Sequence, residues 1–186
     1  MFITGGRAGQ VAFFVMLSIL IIQIFDKQRI KSLLLILIMI PSIFITAYQY
    51  SALFKTRVDF AITETLSYND EDLTAVGLRI NFAKNSFDVI KQNPIIGIGT
   101  GDFPSEYKKI NQINTPKLPN TTNPHNMYTL ITMQLGLIGL VSMLSIFYYQ
   151  IKLSFYSSNR MINDLGLALP LIFFVIMWSD SYLLGH

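Results

Sequence analysis

Four apolar stretches constrain this chain more than anything else in it. Residues 8–25, 32–50, 127–151 and 165–184 are each long enough, at a rise of about 1.5 Å per residue, to cross a hydrocarbon layer of about 30 Å as helices. Composition agrees: 52% of residues are hydrophobic, only 13% are charged, and the mean hydropathy is +0.46. The first stretch has the flavour of a signal peptide, but no small-residue cleavage site follows it and a second apolar stretch begins almost at once. It is read as a retained span.

The expected fold class is therefore all-α and integral to a membrane, with about four transmembrane helices. The turn over residues 26–31 sets Lys27, Arg29 and Lys31 against one acid, and that over 152–164 sets Lys152 and Arg160 against one acid. Both turns belong on the cytoplasmic side by the bias of basic residues. The segment over 55–126 carries eight basic and eight acidic residues, so it has no bias and falls on the outer side. The net charge of +3 calls for no nucleic acid partner. Cysteine is absent and the two histidines are far apart, so no metal-ligand pattern and no disulfide framework is visible.

The outer segment is too long for a plain connection. Residues 55–72 read as a polar loop whose acidic Asn69-Asp70-Glu71-Asp72 run opens into a helix. In that helix Val76, Ile80, Ala83, Phe87 and Ile90 fall at helical spacing, an apolar stripe fit to lie on the membrane surface or against the outer ends of the spans. Asn93-Pro94 ends it. Next comes PIIGIGTGDF, where Gly97, Gly99 and Gly101 lack the spacing and the strand-helix context of a dinucleotide fingerprint. They suit a tight turn, the preferred reading, or a close backbone approach to an anionic ligand. Residues 106–122, rich in Asn, Pro and Lys, read as an irregular loop.

The third apolar stretch opens with NPHN. Asn123 suits the N-cap and Pro124 the first helical position, which puts His125 in the first turn, where the helix dipole disfavours a cationic imidazole and attracts anions. At about 100° per residue Gly136 then lies under His125 with Gly139 beside it, a small face against which another helix can pack. Either the histidine is a base at the outer membrane boundary or it merely tolerates its place. Arg7, preceded by two glycines at the start of the first span, and Arg79, in the amphipathic helix, lie on the same outer side; each is a candidate phosphate contact or an interfacial cation. Asp180 near the end of the last span could orient His125, bind acceptor hydroxyls, or sit hydrated at the interface.

TGGRAG, then R-x-N-F-A, then NPIIGIGTGDF, then HN followed by nine residues and GLIG, resemble in that order the core of the O-antigen ligase and O-antigen polymerase family. The family's histidine motif is fitted by His125, Asn126, Gly136 and Gly139; where the family usually has a serine before the first arginine, Gly6 stands here. The resemblance implies a multi-span, metal-independent glycosyltransferase of polysaccharide or lipopolysaccharide biosynthesis, with no cofactor. Its donor would be a glycan on a polyprenyl (undecaprenyl) diphosphate, and its acceptor a hydroxyl of lipid A-core, glycan or protein, at the outer face of the bacterial cytoplasmic membrane. It further implies His125 as general base, Arg7, Arg79 and Asn126 as substrate-binding residues, and Gly97, Gly99, Gly101, Gly136 and Gly139 as the structural motif. Members have many more spans, so the chain is expected to be the C-terminal portion of a larger polytopic protein forming one membrane domain over residues 1–186. The competing expectation is a segment of a transporter or flippase in which the same basic residues line a path for an anionic lipid-linked sugar, or a non-catalytic fragment.

Overall fold

The computed structural model describes residues 7–69 and 73–181, the side chains of Arg7 and Ala8 excepted. The first half of the TGGRAG stretch, the acids at 70–72 and the end of the fourth apolar stretch lie outside them. Among the described residues there are seven helices and no strand: α1 (Arg7–Ile24), α2 (Arg29–Tyr50), α3 (Ala52–Leu66), α4 (Ala75–Gln92), α5 (Phe103–Asn114), α6 (Met127–Phe155) and α7 (Arg160–Ser179). Of these, α2, α6 and α7 are long and apolar enough to cross a membrane, while α1 contributes a shorter apolar helix, Gly9–Ile24. The chain divides into two compact units, Met1–Ile62 with Ile151–Val175 and Thr63–Gln150 with Ile176–His186.

The first unit holds α1, α2 and parts of α3, α6 and α7. Leu33, Leu37, Ile38 and Ile45 of α2 are exposed, Leu37 to 70%. A helix so apolar over so much of its surface requires lipid or other apolar helices around it. Phe14 meets Phe44 at 6.4 Å between ring centroids, and Phe44 meets the buried Phe54 edge-on at 5.2 Å. Ser51 Oγ accepts the Phe54 amide at 3.3 Å as an N-cap. That cap and that anchor make a helix, α3, of much of the stretch expected to be a polar loop. Away from this cluster, Gln23 donates to the Asp164 carbonyl at 2.7 Å and Arg160 to the Gln23 carbonyl at 3.1 Å. The end of α1 thus meets the start of α7.

In the second unit, α4, α5 and the start of α6 enclose a core of Phe82, Val89, Phe103, Tyr107, Leu130 and Met133. Burying each such side chain contributes about 1.5–3 kcal/mol. Phe103 stacks on Tyr107 at 5.6 Å, and Phe82 meets Tyr107 edge-on at 5.9 Å. Burial pushes the Tyr107 hydroxyl above its ordinary range.

Two expectations fail here. Residues 106–114 of the expected irregular loop are helical, within α5: Pro104 stands in the first turn, and Phe103, Tyr107 and Asn111, four apart, are all buried. The helix α4 forms as expected, with Thr74 as its cap, but it turns a different face inward. Its buried residues are Gly77, Asn81, Phe82, Asn85, Ser86 and Val89, whereas Ala83 and Phe87 of the expected stripe are exposed. The inner face is polar because α5 answers it with amides. Asn85 Nδ2 donates to Thr115 Oγ1 at 2.8 Å and Asn111 Oδ1 at 3.1 Å, and Asn114 donates back to Asn85 Oδ1 at 3.1 Å. A satisfied network removes the penalty of burying these groups.

The helix α6 is broken at Gly136, whose backbone (φ 65°, ψ −164°) lies in a region open almost only to glycine. The amides of Leu137 and Ile138 turn away from the Met133 and Gln134 carbonyls and donate to Pro94 O at 2.9 Å and Ile95 O at 3.2 Å. Ile98 N and Gly99 N fill those vacated carbonyls at 2.8 and 3.0 Å. Two bonds within a helix are exchanged for four to the loop after α4. The approach is close: a Cβ on Gly136 would fall 2.1 Å from Ile95 O, and one on Gly97 would fall 2.5 Å from the Gln134 carbonyl. Gly136 therefore admits a loop backbone rather than a packed helix, and the face with Gly139 beneath His125 does not exist. Gly97, Gly99 and Gly101 have φ of 73°, 105° and 91°. Their turn makes its close backbone approach to α6.

Gly136→Ala should lower folding stability by about 3 kcal/mol or more, since strain and collision add. Gly101→Ala, with open space around its Cβ, should cost about 1–2 kcal/mol. Thermal unfolding in detergent checks the order; equal losses would contradict the clasp.

Candidate active site

The candidate site lies in the second unit, where the chain enters α6. His125 is not in the first turn of a helix, as its sequence suggests. It precedes α6 in a bend, with a left-handed backbone at φ 52°, a conformation that costs a non-glycine residue about 1–2 kcal/mol. Local hydrogen bonds compensate. Asn123 Oδ1 accepts the His125 amide at 2.8 Å, closing an Asx turn, and Thr121 Oγ1 accepts the Asn123 amide at 3.1 Å while donating to the Asn123 carbonyl at 2.6 Å. Asn123 is thus a turn residue, and the helix is capped by Asn126, whose Oδ1 accepts the Thr129 amide at 3.0 Å.

This turn directs the imidazole between two elements. One face stacks on Phe82 of α4 at 6.1 Å between centroids and 24° between planes. Its Nδ1 lies 3.3 Å from Asp180 Oδ1, just past the end of α7. That oxygen is itself held by the Ser181 amide at 2.8 Å and the Asn123 side-chain amide at 3.3 Å. With Nδ1–H turned to the carboxylate, Nε2 is left as the basic nitrogen, without a hydrogen-bond partner among the described residues. The His125 side chain is 37% exposed and that of Asp180 23%, so the pair is open to a substrate but sheltered on two sides.

The other expected site residues separate into groups. Arg79 is exposed on α4, one turn before Phe82, and no described residue pairs with it. Asn126 spends its Oδ1 on the cap and donates through Nδ2 to the Trp178 carbonyl at 3.2 Å. It ties the α6 entrance to α7 rather than pointing free groups at a ligand. Gly97, Gly99, Gly101 and Gly136 belong to the clasp already described, and Gly139 takes Leu135 against its backbone, where a Cβ would meet the Leu135 Cβ at 2.2 Å. The Arg7 side chain lies outside the described residues. Phe82 was invisible as a site residue in the sequence, because nothing local announces a ring that meets its partner 43 positions on. Asp180 carried a signal, an acid in an apolar stretch.

The sequence model of the O-antigen ligase family matches residues 1–144, a range that takes in His125, Arg79, the glycine-rich loop and the break in α6. No curated protein matches the chain.

Asn126→Ala should cost about 1 kcal/mol through the lost cap, and Asn126→Asp should recover most of it. Unfolding midpoints check this; a neutral alanine variant would remove the capping role.

Proposed function

The chain belongs to the O-antigen ligase family, and from that premise we propose that it transfers a glycan from a polyprenyl diphosphate to an acceptor hydroxyl at the outer face of the cytoplasmic membrane, His125 being the base. The observation that carries this reading is the His125–Asp180 pair, an imidazole held through Nδ1 with Nε2 open. The family match supports the wider class, a membrane enzyme of surface polysaccharide biosynthesis, ligase or polymerase in type.

In the proposed reaction the acceptor O–H donates to His125 Nε2 and loses its proton there as the oxygen attacks the anomeric carbon. The new glycosidic bond forms as the bond to the diphosphate breaks, with inversion. Asp180 balances the imidazolium that results, in the manner of a base-orienting carboxylate. The departing polyprenyl diphosphate gathers negative charge, and the guanidinium groups of Arg79 and Arg7 are proposed to offset it, taking the part a divalent ion plays elsewhere. The imidazolium then returns its proton to water. Asp180 is a positioning residue, since it acts through His125. The left-handed backbone at His125 also favours function, because local strain persists where a fixed direction is needed.

In the full-length protein, His125→Ala should abolish glycan transfer while membrane insertion and yield stay normal; wild-type transfer would sink the base assignment. Asp180→Asn should retain part of the activity, with kcat down by about 10²–10⁴. Arg79→Lys keeps a charge but loses the bidentate fork, so it should raise KM for the lipid-linked donor more than KM for the acceptor. Transfer assays that vary each substrate separately would reveal an unchanged donor dependence, and with it no diphosphate contact.

A further inference from the structure

Beside the candidate active site, α4 and α5 enclose a groove of about 350 Å³ to which the transfer chemistry gives no task. Asn81, Asn85, Phe87, Asp88, Lys91 and Asn114 line most of it. Its volume is at the lower end for small-molecule sites. The floor is rigid, because Asn85 is almost fully buried and its amide is held on both sides by α5. The rim is available. Phe87 is 57% exposed, with the Lys91 ammonium over one face of its ring at 4.7 Å and the other face left for a ligand, and Asn114, having given Nδ2 to Asn85 Oδ1 and Asp88 Oδ2, keeps an Oδ1 with no partner among the described residues. The Lys91 ammonium, 2.9 Å from Asp88, holds that carboxyl below its ordinary range, helped by the Asn114 amide.

We propose that this groove is a carbohydrate subsite, holding a sugar of the glycan away from the reacting one. The proposal rests on the glycan-transfer reading above and extends it. A sugar offers hydroxyls in pairs, which planar amide and carboxylate groups match two at a time, and a C–H face, which an exposed aromatic ring matches. The groove supplies both. A purely apolar ligand would leave the Asn114 Oδ1 unpaired, and a small anion would meet the ionised Asp88, with Lys91 already paired to it and Lys84 engaged by Tyr68. Position agrees as well. Asn81 precedes Phe82, the ring under His125, and Asn81, Asn85, Asp88 and Lys91 recur at helical spacing from there, so the groove runs along α4 for about 15 Å. A glycan whose reacting sugar meets the imidazole could lay a later sugar in it.

The test uses the full-length protein in nanodiscs and, as probe, the surface polysaccharide released by mild acid from the cells that natively make the protein. Binding by saturation-transfer NMR should weaken about five- to tenfold in Phe87→Ala and in Asn114→Ala, while Lys108→Ala, an exposed position outside the groove, binds as the wild type does. No binding to the wild-type protein, or unchanged binding in both groove variants, would overturn the subsite. If His125→Ala retains transfer while the groove variants lose binding, the subsite stands and the proposed base falls.

Discussion

The second unit depends on an exchange of hydrogen bonds at one point of α6. Four main-chain bonds join residues 94–99 to residues 133–138, and they exist because Gly136 leaves the helical path and Gly97 lets a second backbone come against it. Without that exchange the freed amides and carbonyls would be unsatisfied beside apolar side chains, a penalty of about 1–3 kcal/mol for each group. With it, the end of α4 is fixed to the middle of α6. The nine residues between Asn126 and Gly136 become a short helix of set length, whose Leu130 and Met133 complete the core around Phe82. That core carries His125 on its surface.

The same arrangement explains the spacing of the histidine motif. Asn126 caps the helix and Gly136 ends its first part, so the interval between them measures two and a half turns, about 14 Å of rise. His125, directly before the cap, is then aimed by Asn123 of its own turn at its amide and by two neighbours remote in sequence, Phe82 under its ring and Asp180 at its Nδ1. Asn126 belongs to this scaffold, through its cap and its bond to the Trp178 carbonyl. An imidazole held from three directions has little freedom to lose when a ligand arrives.

Much of this was legible in the sequence, and the failures share a cause. The long apolar helices, the end of α4 at Asn93-Pro94 and the turn at Gly97, Gly99 and Gly101 followed from hydropathy and turn chemistry. Helix α5 was hidden because its inward positions include Asn111, which meets Asn85 of α4, and a rule that seeks apolar stripes cannot see a contact made through amides. It selects instead Val76, Ala83 and Phe87, of which Ala83 and Phe87 are exposed. The helix start at His125 was misplaced by three residues, since Asn123 and Asn126 are both good caps and only the tertiary setting, with α7 at one side and α4 beneath, decides between them. The break at Gly136 was missed for a related reason. A glycine in an apolar run is compatible with a continuous helix, and its other partner lies some forty residues earlier.

The clasp between loop and helix is written entirely in main-chain atoms. Apart from its glycines, its geometry is indifferent to side-chain identity, so the residues at 95, 96, 137 and 138 are free to answer to whatever surrounds them, while Ile98 packs against the core. Ile95 and Ile96 are largely exposed, as are Leu137 and Ile138. This gives the protein a seam along which its outer surface can be rewritten, toward a different lipid or a different neighbouring helix, while the imidazole above keeps its aim.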